Sequence, residues 1–283
     1  MVRSRDQGVV LINVLVILAL MASVVFAMVS LSELSITRSQ RFSEAGQALA
    51  LIAAGEASAV VALRRDMVEA PATDNVTEGW ALTGQEPVAI EGGQFALTIV
   101  DAQALFNLDS LAASGAFGAQ MLGRIVQVLD LPPDVAPRIA ARLALAAPLE
   151  RLADLVPEAG LTADEVSRLA ELVTVLPERT AININTAPDA LLGVLTDNPV
   201  QAGSLAAIRK RNGLLTSADV TSARVILPPG AGYVSRFFVV QVTVTVGGTV
   251  QSRTSLIQRR QGAGGVAEVV VISHDTGGAM PGM

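Results

Sequence analysis

Residues 3–31 read RSRDQGVVLINVLVILALMASVVFAMVSL. Two arginines and a glycine lead into an uncharged run, Val9 to Leu31, of 23 residues. As a helix rising about 1.5 Å per residue it reaches about 35 Å, enough to cross a hydrocarbon core of about 30 Å with some tilt. A secretory signal has an apolar core of roughly 7–15 residues followed by a small-x-small cleavage site. This run is longer and no such site follows it, so it reads as a retained span. Arg3 and Arg5 ahead of it assign the short leader to the cytoplasmic side and the rest of the chain to the far side. Read from composition alone, the stretch is a single-pass anchor.

The helical signal continues beyond the apolar run. Ser32 to Val68 contains no proline, and Phe42, Ala45, Leu49, Ile52, Val60 and Leu63 recur at steps of three and four, with a gap at Glu56. That spacing predicts one apolar helix face, opposite a polar face with Arg38, Arg41, Glu44, Gln47 and Arg64. One long helix is expected, half in lipid and half laid on a domain, with a break by Pro71 because the residue before a proline disfavours the α region.

The composition narrows the function. The chain has 283 residues, enough after the anchor for one large or two modest domains. Cysteine is absent, so packing rather than cross-linking holds the fold. A net charge of −6 argues against general nucleic-acid binding. His274 is the only histidine and precedes a Gly-rich end, where it reads as an exposed tail residue, leaving little for a metal centre or a histidine-based triad. No nucleophile–base pair or phosphate loop is visible, so the chain is read as not an enzyme.

Beyond the helix, FALTIV (95–100) alternates after the turn Glu91-Gly92-Gly93 and reads as a strand, with Trp80 packing in the same layer. Asp101, Asn107 and Asp109 follow it. Calcium favours such oxygen donors, but the three match no EF-hand loop, and Asx residues also make turns and caps. Ser114 to Gly213 reads helical, with Thr162 and Glu165 spaced as a capping box. Within it, ININTAPDALLGVLTDNPVQAGSLAAIRKRNG predicts a helix capped by Thr186 and a second from about Val200 to Arg211 that ends at Gly213. Asn183 to Ala187 resembles the entry to helix-hairpin-helix modules, many of which bind DNA. Here the hairpin Leu195–Pro199 has no glycine, carries Asp197 and loses a donor at Pro199, which argues against a phosphate grip. Phe238, Val240, Val242, Val244 and Val246 then alternate before Gly247-Gly248, a hairpin with one buried face, and Val266 to Ile272 adds a third strand.

The order of these pieces resembles a known family. A basic leader ending in Gly8, an apolar helix with an amphipathic extension, and a globular head are similar to the class III signal of type IV pilins and of the pseudopilins of type II secretion. DAQALFNLDSL, the helical block with RLADLVPEAGLTADEVSRLAELVTVLP and ININTAPDALLGVL, and a closing hairpin ending in Arg259-Arg260 resemble the K-type minor pseudopilins. The resemblance covers about residues 1–273. It implies cleavage between Gly8 and Val9 by the prepilin peptidase, with N-methylation of Val9. It implies Asn13 in place of the pilin family's usual Glu, as expected for a subunit that ends a filament. It also implies partners (the I-type and J-type minor pseudopilins and the major pseudopilin), an inner-membrane location with a periplasmic head, and calcium in the head; the charge and the Leu195–Pro199 hairpin make nucleic acid an unexpected partner.

The expected fold is α+β, type IV pilin-like, with a long N-terminal helix, an antiparallel sheet and a large all-helical insertion of helix-hairpin-helix or SAM-like type. The expected divisions are a leader at 1–8, transmembrane helix at 9–31, amphipathic helix at 32–70, first pilin-like part at 71–113, insertion at 114–215, second pilin-like part at 216–273 and a flexible tail at 274–283. The function implied is that of a pseudopilus-tip subunit supporting export of folded proteins across the outer membrane. The competing reading is a minor pilin of a type IV or DNA-uptake pilus, which needs a DNA-binding surface.

Overall fold

The computed structural model describes residues 6–84, 86–145 and 148–276. The leader's Met1 to Arg5, and residues 277–283 of the expected tail, lie outside the described residues. Helix α1 runs unbroken from Asp6 to Glu69 and stops before Pro71, as the proline predicts. From Val10 to Phe42 every residue on it is exposed. Its C-terminal half lies on the sheet, and a short helix α2 (Gly79–Leu82) follows.

The sheet comprises β1 (Val88–Ile90), β2 (Gly93–Asp101), β7 (Phe237–Val246), β8 (Thr249–Gln261) and β9 (Ala267–Thr276), in that order and antiparallel throughout. Gly93 starts the β2–β7 ladder opposite Val246, and a Cβ there would lie 1.7 Å from the Thr245 carbonyl oxygen, so only glycine fits. The alternation read from the sequence sets the two faces. Phe238, Val240, Val242, Val244 and Val246 pack with Leu97, Ile99 and Trp80 against Ala48, Ile52, Ala59 and Leu63 of α1. Gly55 permits this approach, because a Cβ at that position would meet the Phe95 ring at 2.8 Å. Phe237 and Val239 on the opposite face pack with Ala102 and Leu176.

Between β2 and β7 the chain builds a second core. It holds β3 (Phe106–Asn107), α3 (Leu111–Val128), α4 (Val135–Leu143), α5 (Leu155–Ala159), α6 (Ala163–Leu169), β4 (Val173–Thr174), β5 (Ile182–Asn183), α7 (Asp189–Thr196), α8 (Pro199–Asn212), α9 (Ser217–Ser222) and β6 (Ala231–Gly232). Leu122, Ile125, Ile139, Leu155, Leu169 and Leu191 are among its fully buried side chains. Each such side chain contributes about 1.5–3 kcal/mol by leaving water. The block is helical apart from two-residue parallel pairings, β3 with β4 and β5 with β6.

Several local expectations meet a different outcome. The docked face of α1 holds Ile52 and Leu63 as predicted but differs at other positions: Phe42 is 84% exposed and Leu49 also faces out, while Ala48, Gly55, Glu56 and Ala59 face the sheet. The apparent gap at Glu56 is a buried carboxylate, 3.6 Å from Arg253 and 3.0 Å from His274 Nδ1, so a polar position belongs to the packed face. His274 is therefore no tail residue; it pairs opposite Ser255 in β9, which continues to Thr276. The helical core begins at Leu111 and includes Val220 and Val225, beyond the expected limits of 114 and 215. Thr186 does not cap α7, whose N-cap position is Pro188; its hydroxyl instead donates to the Asp101 carboxylate at 2.6 Å, because a buried carboxylate requires donors. The capping box at Thr162 and Glu165 is present, and so is Gly213 as the left-handed stop of α8.

Candidate functional site: an assembly helix braced by a buried charge network

The first half of α1 gathers its small residues on one side. At about 100° per residue, Ala19, Ala22, Ser23, Ala27 and Ser30 fall there, with Leu15, Val16 and Phe26 among them, while Ile17, Leu20, Met21, Val24 and Val25 fall on the other. Ser23 donates its hydroxyl back to the Ala19 carbonyl at 2.8 Å, so the small face presents no free polar group at that turn. Small residues on one side let a second helix approach closely. An 18-residue window of this helix has a mean hydropathy of 2.8, and nothing among the described residues covers it, which fits a single-pass membrane anchor. Gly8 and Val9 lie within α1, and Asn13 is exposed on it.

The other half of α1 is tied to the sheet and to the helical block through buried charge. Arg259 on β8 donates through Nη2 to Asp66 at 2.7 Å and through Nη1 to Asp74, and its guanidinium lies 4.3 Å from the centre of the Phe238 ring. Asp74 also accepts from the Ser235 backbone N–H at 2.7 Å. Ser235 Oγ in turn donates to Asp101 at 2.6 Å, and Asn183 Nδ2 donates to Asp101 and to the Asp74 carbonyl, each at 2.9 Å. Gln103 completes the junction, donating to the Ala181 carbonyl and accepting from the Arg236 N–H. The network thus joins the end of α1, both arms of the sheet and the entry strand of the α7–α8 pair. Burial pushes the Asp66, Asp74 and Asp101 carboxyls above the ordinary carboxylate range, against the pull of Arg259 on the first two and of hydroxyl and amide donors on the third.

The oxygen donors singled out from the sequence do not fit a calcium site. The Asp101 oxygens accept from Ser235, Thr186, Asn183 and the Gln103 N–H. Asn107 Oδ1 accepts from the Asp109 and Leu176 N–H groups, its Nδ2 donates to the Glu178 carbonyl, and Asp109 is exposed. A second acidic group, Asp66, Asp74 and Glu78, brings carboxylate oxygens within 4.8 Å of one another, but Arg259 already supplies its cation. The basic end of α8 is also partly committed, since Arg209 donates to the Ile184 and Ala187 carbonyls and to Asp189. Sequence reading missed Arg259, Asp66 and Asp74; the available signal was one acidic residue in the last turn of α1 and a second in the loop after it, beside a sheet strand that carries an inward-facing arginine.

Fold and helix together define a class: a pilin-like subunit with one bare, membrane-length helix and a helical block set into its head. Within that class, the chain is similar in sequence, over nearly its full length, to proteins named type II secretion system protein K. It is 26% identical to the protein of that name from Pseudomonas aeruginosa, over 99% of this chain and 96% of that one. It is also 26% identical to the one from Klebsiella pneumoniae, over 93% and 96%. Among solved structures it is similar to a chain in the GspK–GspI–GspJ complex of the enterotoxigenic Escherichia coli type 2 secretion system. That match has a TM-score of 0.65 and 24% identity, and covers 86% of this chain and all of the other. No family profile matches the chain.

Proposed function

We propose that this chain is a minor pseudopilin of the type II secretion system. It forms the tip of the periplasmic pseudopilus with I-type and J-type partners and supports export of folded proteins across the outer membrane. The observation that carries the reading is the near-full-length likeness to two proteins K, on a chain whose leading helix is exposed from Val10 to Phe42. A solved complex with the same fold, the GspK–GspI–GspJ assembly, supports the choice of partners.

The role is mechanical. Before assembly the apolar helix holds the subunit in the inner membrane with the head in the periplasm. After the prepilin peptidase cuts between Gly8 and Val9 and methylates Val9, the small-residue face packs against helices of neighbouring subunits. Asn13 forms no ion pair with a neighbour's ammonium group, so a subunit seated at the end of the filament has no need of the carboxylate. The helical block, fixed to the head through Asp101 and Arg259, limits further addition at that end. The mass of the N-terminal peptide from native membranes tests this account. It predicts a start at Val9 with one added methyl. An intact start, or one beyond about Ala27, would contradict it.

A further inference from the structure

Between Leu31, where the apolar run ends, and Glu44, α1 is a bare neck with every residue exposed. At Glu44 the head begins: Thr249, at the start of β8, donates to its carboxylate at 3.0 Å. At about 1.5 Å per residue this contact sits about 20 Å above the end of the apolar run. The neck carries two arginines, Arg38 and Arg41. Both are exposed, and neither makes a hydrogen bond or ion pair among the described residues.

Direction, height and lean together indicate what these cations meet. At about 100° per residue, Arg38 falls in line with Glu56 and Arg41 with Ala59, residues of the face that the sheet covers higher up. Both arginines therefore point into the space beneath the overhanging head. Their Cα atoms stand about 10 and about 15 Å beyond Leu31 along the helix. The headgroup layer of a bilayer reaches about 5–8 Å beyond its hydrocarbon. Side chains on a helix lean toward its N-terminus, here toward the bilayer, and the long apolar stem of arginine spans the remaining distance. The acids nearby do not intervene. Glu44 is held by Thr249, and Glu33 lies about 140° round the helix from Arg38 and about 80° from Arg41. Glu91, exposed in the β1–β2 turn, is bonded to neither arginine.

We infer that Arg38 and Arg41 bind the headgroup phosphate of an anionic phospholipid in the leaflet beneath the head. The guanidinium of Arg38 presents paired N–H donors that match a phosphate's oxygens. Arg41, one turn higher, adds attraction across a distance comparable to the screening length of about 8 Å at physiological salt. A zwitterionic lipid satisfies its phosphate partly with its own ammonium group, so the pair discriminates in favour of a net negative headgroup. The contact fixes the depth of the subunit while it waits in the membrane, and it has to break when the helix leaves the bilayer for the filament. The inference rests on the membrane-anchored reading of α1 and adds to it a preference among lipids.

The test reconstitutes the full chain in phosphatidylcholine vesicles with a trace of spin-labelled phosphatidylglycerol or spin-labelled phosphatidylcholine, and reads the fraction of each probe immobilised at the protein surface. Arg3→Gln and Arg5→Gln are present in every sample, so that the leader contributes nothing from the opposite leaflet. An arginine at an anionic surface is worth about fivefold, and a preference of about that size for phosphatidylglycerol is expected. Arg38→Gln with Arg41→Gln should abolish the preference without changing the melting temperature, and 1 M salt should do the same in the parent. Arg64→Gln, on the part of α1 that lies along the head, should leave it intact. Equal immobilisation of both probes by the parent, or a preference that survives the double substitution, overturns the inference while leaving the anchor standing. Immobilisation of neither probe contradicts the anchor and the inference together. A double variant that keeps the lipid preference but loses co-purification with the I-type and J-type subunits assigns the arginines to a protein partner instead and overturns the inference.

Discussion

Arg259→Met is the most informative single change in the head. Arg259 is 4% exposed and contacts two carboxylates that are themselves buried. Methionine keeps much of the volume but leaves Asp66 and Asp74 with no cation, and removing one partner of a buried pair costs about 3–5 kcal/mol. Loss of the guanidinium from the Phe238 face adds about 0.5–1 kcal/mol. About 4 kcal/mol is therefore expected, close to a thousandfold in the folding equilibrium and roughly 10 °C in melting temperature for a head of this size. Trp80 is the sole tryptophan, stands 5.0 Å from Phe238 edge-on and donates to Glu78 at 2.7 Å, so its fluorescence reports on this region directly. The pH dependence has a definite sign. Burial already raises the Asp66 and Asp74 carboxyls, and loss of the arginine raises them further. The contribution of these two carboxyls to the variant's stability is therefore fully present below the unfolded carboxylate value of about 3.9 and is lost as pH rises through the folded values. Thermal melts of the full chain in detergent should show the gap between variant and parent narrowing from pH 7 to pH 5. A gap below about 1 kcal/mol, or one that does not change with pH, would refute the reasoning.

Other substitutions probe separate links. Thr162→Ala removes the cap of α6 and should cost about 1 kcal/mol in a urea titration; the Thr162 N–H and hydroxyl hold the Glu165 carboxyl below its ordinary value, so the cap's contribution is present above about pH 4.3 and lost as pH falls through the folded value. Gly93→Ala places a Cβ against the Thr245 carbonyl and should part the end of the β2–β7 ladder at about 2–4 kcal/mol, with faster amide exchange at its paired residues. Phe42→Ser, at an exposed position on α1, should leave the melting temperature of the isolated chain unchanged within about 0.5 kcal/mol yet weaken co-purification with the I-type and J-type subunits, whereas a large loss of stability would show that Phe42 packs within the chain.

Much of this architecture is visible in the residues themselves. The uncharged run from Val9, the period-two valines of β7 and the Thr162 capping box depend on local chemistry, and each lies where its pattern indicates. The junction was not legible in the same way. Asp66 and Asp74 meet Arg259 across 193 and 185 residues of chain, and Asn183 meets Asp101 across 82, so no window of sequence contains either contact. Thr186 shows how such contacts override local rules: it stands where a cap belongs, but the unmet demand of Asp101 recruits its hydroxyl. The polar positions in the docked face of α1 have the same origin. Glu56 and Asp66 look like solvent-facing breaks in an apolar stripe, yet each has a cation opposite it on the sheet.

The most direct test of the central claim is native mass spectrometry of the full chain co-expressed with the I-type and J-type minor pseudopilins in a host that carries the prepilin peptidase, after detergent extraction. The account predicts a ternary complex containing a single copy of each, with this chain beginning at Val9. Recovery of the chain alone, or only as copies of itself, while the two partners pair normally would contradict it.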